Sequence, residues 1–129
     1  RHDGSTALRG KRLFVATGCA TCHVTRLETG PNPLQALHRR TVSAYTDLLL
    51  HDMGPELADM CLGLAEPSEF RTEPLMGLRL RTLFMHDGKA KSVQEAIDLH
   101  GGEAVRSRDR FHKLSERDRL AVLKFLGSL

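Results

Sequence analysis

The sequence has no tryptophan, one tyrosine and an aromatic content of only 5% over 129 residues. That length suits one ordinary domain, here 1–129. So few rings leave it either a modest core or one completed by a bound group. Long apolar runs are missing too: none approaches the about 18 residues of a membrane-spanning helix, which excludes such a span. Nor does one sign of charge dominate. The 19 Lys and Arg and 16 Asp and Glu are interspersed, for a net charge of +3, so no basic stripe invites nucleic acid. The 40% hydrophobic fraction excludes a disordered chain. The opening Arg1-His2-Asp3-Gly4 does not read as a signal peptide; if there is one, it has been removed or lies outside this sequence.

Cysteine is scarce, and the three present, Cys19, Cys22 and Cys61, are an odd number that describes no disulfide scaffold. Two of them stand in Cys19-Ala20-Thr21-Cys22-His23, the C-x-x-C-H sequence that attaches a c-type haem. Two thioethers hold the vinyl edges of the macrocycle while the adjacent His23 reaches the iron from one side. A zinc site would require a second ligand pair, and Cys61 has no companion at ligand spacing. A redox dithiol would require a βαβ setting, which the pattern does not offer. Cys61 reads as a quiet, partly buried thiol.

Helical signals mark both ends of the chain. Residues 5–17 read as a first helix, capped by Ser5 or Thr6, with Leu8, Leu13 and Phe14 as its apolar side. Gly10 in mid-helix costs about 1 kcal/mol relative to Ala, which predicts a close helix crossing there. A moderate helical signal covers residues 34–40, and residues 45–50 suit either helix or a buried extended piece. Ser92 with Glu95 forms a capping box ahead of a helix stopped by Gly101-Gly102. Ser115 with Asp118 opens a last helix with Val122, Phe125, Leu126 and Leu129 as its stripe. No β pattern competes, so the expected fold is all-α with long loops over 51–74.

The second axial position decides the chemistry, because a strong sixth ligand makes an electron carrier and an open one permits catalysis. The side chains able to fill it are Met53, Met60, Met76 and Met85 and the histidines beyond His23. His2, His38 and His112 lie among charged residues and read as solvated. His51 and His86 each precede an aspartate and read as hydrogen-bonding loop residues. His100 differs, because the period of Val93, Ala96 and Ile97 places it on the inward face of its helix. Its alternatives are a helix-terminal His satisfied by a backbone carbonyl, Met85 at the end of the apolar Leu83-Phe84-Met85 run, and Met53.

Taken together, the attachment sequence and several further segments resemble a known family. These are Tyr45 through Gly54, Glu69-Phe70-Arg71-Thr72 with Pro74-Leu75 and Gly77-Leu78, Phe84-Met85-His86-Asp87-Gly88, His100-Gly101-Gly102-Glu103-Ala104 and Phe125-Leu126. The chain resembles the C-terminal haem domain of the di-haem oxidoreductase (thiol oxidoreductase-like) family, related to bacterial di-haem cytochrome c peroxidases and the MauG enzymes. The resemblance implies a class I cytochrome c fold in which Gly10 and Phe14 meet the last helix near Phe125. In those relatives the distal ligand, a Met or a Tyr, lies fourteen residues after the His of His-Asp-Gly, and counting from His86 lands on His100. Arg71, and after it Arg79 and Arg81, are the implied partners of the haem propionates. A full member carries two attachment sequences and this chain has one. Met76 stands where the family has Trp.

The reading favoured is an electron-transfer domain with one covalent haem, His23 proximal and His100 (or Met85) distal, serving a redox partner that is acidic if the net charge steers it. A second haem domain is a further candidate partner. The alternatives are a peroxidase-like enzyme with an open sixth site, in which His86, Asp87, His51 and Asp52 are acid–base candidates, and the haem domain of a larger di-haem enzyme. Because c-type haem is attached outside the bacterial cytoplasm, the expected location is periplasmic or otherwise extracytoplasmic.

Overall fold

The structure, a computed structural model, describes residues 3–60 and 63–129. Its frame is the crossing of the first helix, α1 (Asp3–Ala16), with the last, which runs Glu116–Leu126. The crossing sits where Gly10 predicts it: a Cβ there would overlap the carbonyl oxygen of Ala121 and come within 2.8 Å of Phe125 Cβ. Only a residue without a side chain lets the two backbones approach this closely. The last helix begins as expected, with Ser115 Oγ accepting from the Asp118 N–H at 3.2 Å. Ala121, Val122, Phe125 and Leu126 are its buried side.

The core gathers around this crossing. Phe14 and Phe125 meet edge to face with centroids 5.5 Å apart, and Tyr45 completes the group at 6.2 and 5.9 Å. Leu78, Phe111, Val122 and Leu126 fill in around the rings. Each such side chain contributes about 1.5–3 kcal/mol on burial. Leu8, expected on the apolar side of α1, is 55% exposed.

Between the two long helices lie α2 (Val93–Asp98) and α3 (Val105–His112). Ser92 caps α2 by accepting from the Glu95 N–H at 3.1 Å, while the Glu95 carboxylate reaches back to the Lys91 N–H at 2.7 Å. The sequence reading has no counterpart of α3. Its segment, Val105-Arg106-Ser107-Arg108-Asp109-Arg110-Phe111-His112, is too charged to show an apolar period, and it is anchored by Phe111, which is fully buried. The last helix is therefore α4.

The all-α expectation, and the class I cytochrome c fold with it, is corrected by the structure. Among the described residues two small antiparallel sheets accompany the four α-helices, giving a mixed α and β fold. In the first, β1 (Leu27–Glu28) pairs with β2 (Thr41–Val42), setting Leu27 opposite Val42. In the second, β3 (Leu50–Asp52) pairs with β4 (Glu69–Arg71), setting His51 opposite Phe70. Strands of two or three residues are too short to show a period of two in sequence. Two local expectations fall as well. Residues 34–40 form turns rather than a helix, with Leu34 and Leu37 exposed, so an isolated helix there would gain no packing. Residues 45–50 are neither helix nor a buried extended piece: Tyr45 and Leu48 hold left-handed φ of 54° and 62°, and Leu48, Leu49 and Leu50 are exposed.

Those turns are pinned from within. Thr46, fully buried, donates its hydroxyl to the Thr72 carbonyl at 2.7 Å and accepts from the Leu48 N–H at 3.0 Å. This ties the 45–50 loop to the end of β4, next to Tyr45.

Candidate haem site

The attachment residues fold onto one tight turn. Beyond α1 the chain bends at Gly18, whose φ is 92°, and where a Cβ would stand 2.9 Å from Ser107 Oγ of α3. Cys19–Thr21 then form a 3-10 turn, closed by the His23 N–H on the Cys19 carbonyl at 3.0 Å. Cys19 and Cys22 are both free and partly buried, and no disulfide joins them. Burial pushes both thiols above their ordinary pKa, and for Cys22 the carboxylates of Asp47 and Glu103 add to the shift. Thiols so placed stay protonated at neutral pH, unlike the thiolates of a zinc site or an activated redox pair.

His23 lies under the core rings, 6.4 Å from Phe14 between centroids. Its Nδ1 donates to the Tyr45 carbonyl at 3.0 Å, which is why the position of that carbonyl matters. His100 stands just past the end of α2, and its Nδ1 donates to the Ala96 carbonyl at 2.7 Å. A carbonyl only accepts, so each ring carries its proton on Nδ1 and keeps a lone pair on Nε2. Burial lowers the pKa of both, so both are neutral at pH 7. A neutral imidazole with its far nitrogen held by a carbonyl is the form that ligates metals.

The two rings stand 6.4 Å apart between centroids, at an interplanar angle of 42°. Two metal–imidazole bonds of about 2.0 Å, plus roughly 1.1 Å from each nitrogen to its ring centre, add up to about 6.2 Å. The spacing thus fits one iron held between His23 and His100. The helix-terminal carbonyl bond foreseen as the alternative for His100 is present, and it leaves Nε2 unengaged by that bond.

The other expected residues lie on different elements. Met85 is partly buried in a turn at φ 69°, beside the Phe84–Ala90 bridge. Met60 and Met76 are exposed. Met53 lies past β3, where its carbonyl faces Gly101. Arg71 in β4 and Arg79 in the 78–80 turn are exposed and form no ion pair among the described residues, whereas Arg81 pairs with Glu73 at 2.8 Å. His86 bonds Asp59 at 2.9 Å and stacks on Phe70 with centroids 4.4 Å apart. Cys61 and His2 lie outside the described residues.

A group that the sequence reading did not assemble flanks the pair. His51 bonds Asp47 through Nε2 at 2.7 Å and Glu103 through Nδ1 at 2.9 Å, and the Cys22 sulfur lies within 4.8 Å of the Asp47 and His51 donor atoms. The four-residue offset of Asp47 and His51 is visible in sequence, but the arrival of Glu103 requires the fold.

No helix among the described residues is long and apolar enough to cross a membrane. Residues 2–129 match the model of the family described as "Di-haem oxidoreductase, putative peroxidase". The chain is also 31% identical over 140 aligned positions to the methylamine utilization protein MauG of Methylorubrum extorquens. The alignment covers 98% of this chain and 35% of that protein's length. No solved structure matches. The family match runs over nearly the whole sequence, and on it the chain belongs to the di-haem oxidoreductase family, whose members bind haem.

Proposed function

We propose that residues 1–129 are one electron-transferring haem domain, with a single haem joined covalently to Cys19 and Cys22 and its iron held by His23 and His100. When bound, such a group takes up and releases one electron at its iron, at a potential set by its axial ligands and surroundings. The residues supply the rest. The Tyr45 and Ala96 carbonyls fix the tautomer and direction of the two imidazoles. The Phe14, Tyr45 and Phe125 rings exclude water from the His23 side. Two ligands already in place leave little to rearrange when charge changes. The observation that carries this reading is the His23–His100 pair, two neutral rings at the spacing of a shared metal.

A specific observation also favours one form of it. The family is di-haem and the chain, with one attachment sequence, spans 35% of its MauG relative. The domain therefore reads best as the electron-relaying haem unit that serves a second haem centre, with any peroxidase-type chemistry at that second centre. Its partner is that haem domain or a redox protein, acidic where the net charge of +3 steers it. An extracytoplasmic location follows from covalent haem attachment. Propionate pairing by Arg71 and Arg79 remains part of the proposal, since both guanidinium groups are exposed and without an ion-pair partner among the described residues.

The test is a pair of substitutions in the haem-loaded protein. His100→Ala is expected to turn the ferric iron high-spin, and Met85→Ala to leave the optical spectrum unchanged. A spectrum altered by Met85→Ala and untouched by His100→Ala overturns the assignment.

A further inference from the structure

The geometry points to Glu103 and His51 as positioning residues that hold His100 at its ligating distance from His23. This rests on the bis-histidine reading above and adds to it the device that sets the spacing of the two rings.

His100 has weak support on its own helix. α2 has six residues, too few to be rigid alone. The Gly101-Gly102 segment next to it is instead pressed onto the end of β3. A Cβ on Gly101 would lie 2.5 Å from the Met53 carbonyl oxygen, and one on Gly102 would overlap that of Asp52. Glu103 locks this contact with both carboxylate oxygens. Oε1 accepts from the Asp52 N–H at 3.0 Å, and Oε2 accepts from His51 Nδ1 at 2.9 Å.

His51 carries the connection onward. Its other nitrogen donates to Asp47 at 2.7 Å, and since carboxylates only accept, both ring nitrogens bear protons. An imidazolium between two carboxylates makes charge-assisted bonds, roughly twice as strong as neutral ones. Asp47 lies two residues beyond Tyr45, whose carbonyl orients His23, and its carboxylate neighbours the Cys22 sulfur. The chain Asp47–His51–Glu103 therefore runs from the loop that aims the proximal ligand to the loop that carries the distal one. It bridges the two sides of the site without touching either axial nitrogen.

The experiment uses haem-loaded wild type, Glu103→Ala and Glu103→Gln, with cyanide binding to the ferric iron as the probe of His100 release. Losing two bonds to a charged group is expected to speed cyanide binding about ten-fold or more in Glu103→Ala. Glu103→Gln, which can still accept from the Asp52 N–H, is expected to fall between it and wild type. Amide exchange at Asp52 should rise in step, while far-UV circular dichroism stays that of wild type. Cyanide binding within about two-fold of wild type in both variants overturns the inference. If Glu103→Ala fails to fold, Glu103→Gln decides by the same criterion. A wild type that binds cyanide as fast as His100→Ala overturns the bis-histidine reading itself, a result distinct from either.

Discussion

Replacing Gly10 by Ala isolates the contact on which the frame depends. In an exposed helix this change stabilises by about 1 kcal/mol, through helix propensity alone. Here the added methyl would overlap the Ala121 carbonyl oxygen and lie 2.5 Å from its carbon. Those are backbone atoms, so no side-chain rotation relieves the clash and the helices must part. Overpacking costs about 1–3 kcal/mol and sits at the upper end when backbone must move. The net expectation is a loss of about 2 kcal/mol, which for a domain of this size is a fall in Tm of roughly 6–10 °C. Because Phe14 touches both Phe125 and His23, the displacement should also broaden the Soret band of the haem-loaded protein. Thermal unfolding followed by circular dichroism checks it. A variant as stable as wild type, or more so, would refute the close crossing.

Two further expectations concern polar groups. Thr46→Val keeps the shape of a fully buried side chain but strands the Thr72 carbonyl and the Leu48 N–H, so it should cost about 1–3 kcal/mol in urea unfolding; a neutral result would show the loop is held otherwise. Hydrogen bonds that His51 donates to Glu103 and then Asp47 raise its pKa above the ordinary value of about 6.5, so its stabilisation is complete below that pH and is lost as pH rises through the raised value. Glu103, held low chiefly by His51, adds stability that is lost only as pH falls through its lowered value. The stability gap between wild type and His51→Gln should therefore be widest at mildly acidic pH, between the ordinary Glu and His values of about 4.3 and 6.5, and close on the alkaline side; parallel pH profiles would contradict the charged bridge.

Much of the site is legible in the sequence because its signals are local. C-x-x-C-H is five residues on one turn, and Ser92 and Ser115 cap the helices they announce, whereas α2 ends at Asp98, so His100 lies beyond the helical face on which the period of Val93, Ala96 and Ile97 placed it. The glycine at position 10 foretells the crossing with α4 because only close backbones require it. The features that escape the sequence are non-local or very short. The strands have two or three residues, α3 hides its single anchor Phe111 among charges, and the left-handed turns at Tyr45 and Leu48 occur at residues that do not advertise them. Glu103 reaches His51 across 52 positions, a pairing that no spacing rule anticipates.

The central claim is that one iron lies between His23 and His100. The most direct measurement is the low-temperature EPR spectrum of the purified ferric protein. The account predicts a wholly low-spin signal of the bis-imidazole type. A substantial high-spin fraction would mean an open sixth site and would contradict the electron-transfer reading in favour of peroxidase-like chemistry at this haem.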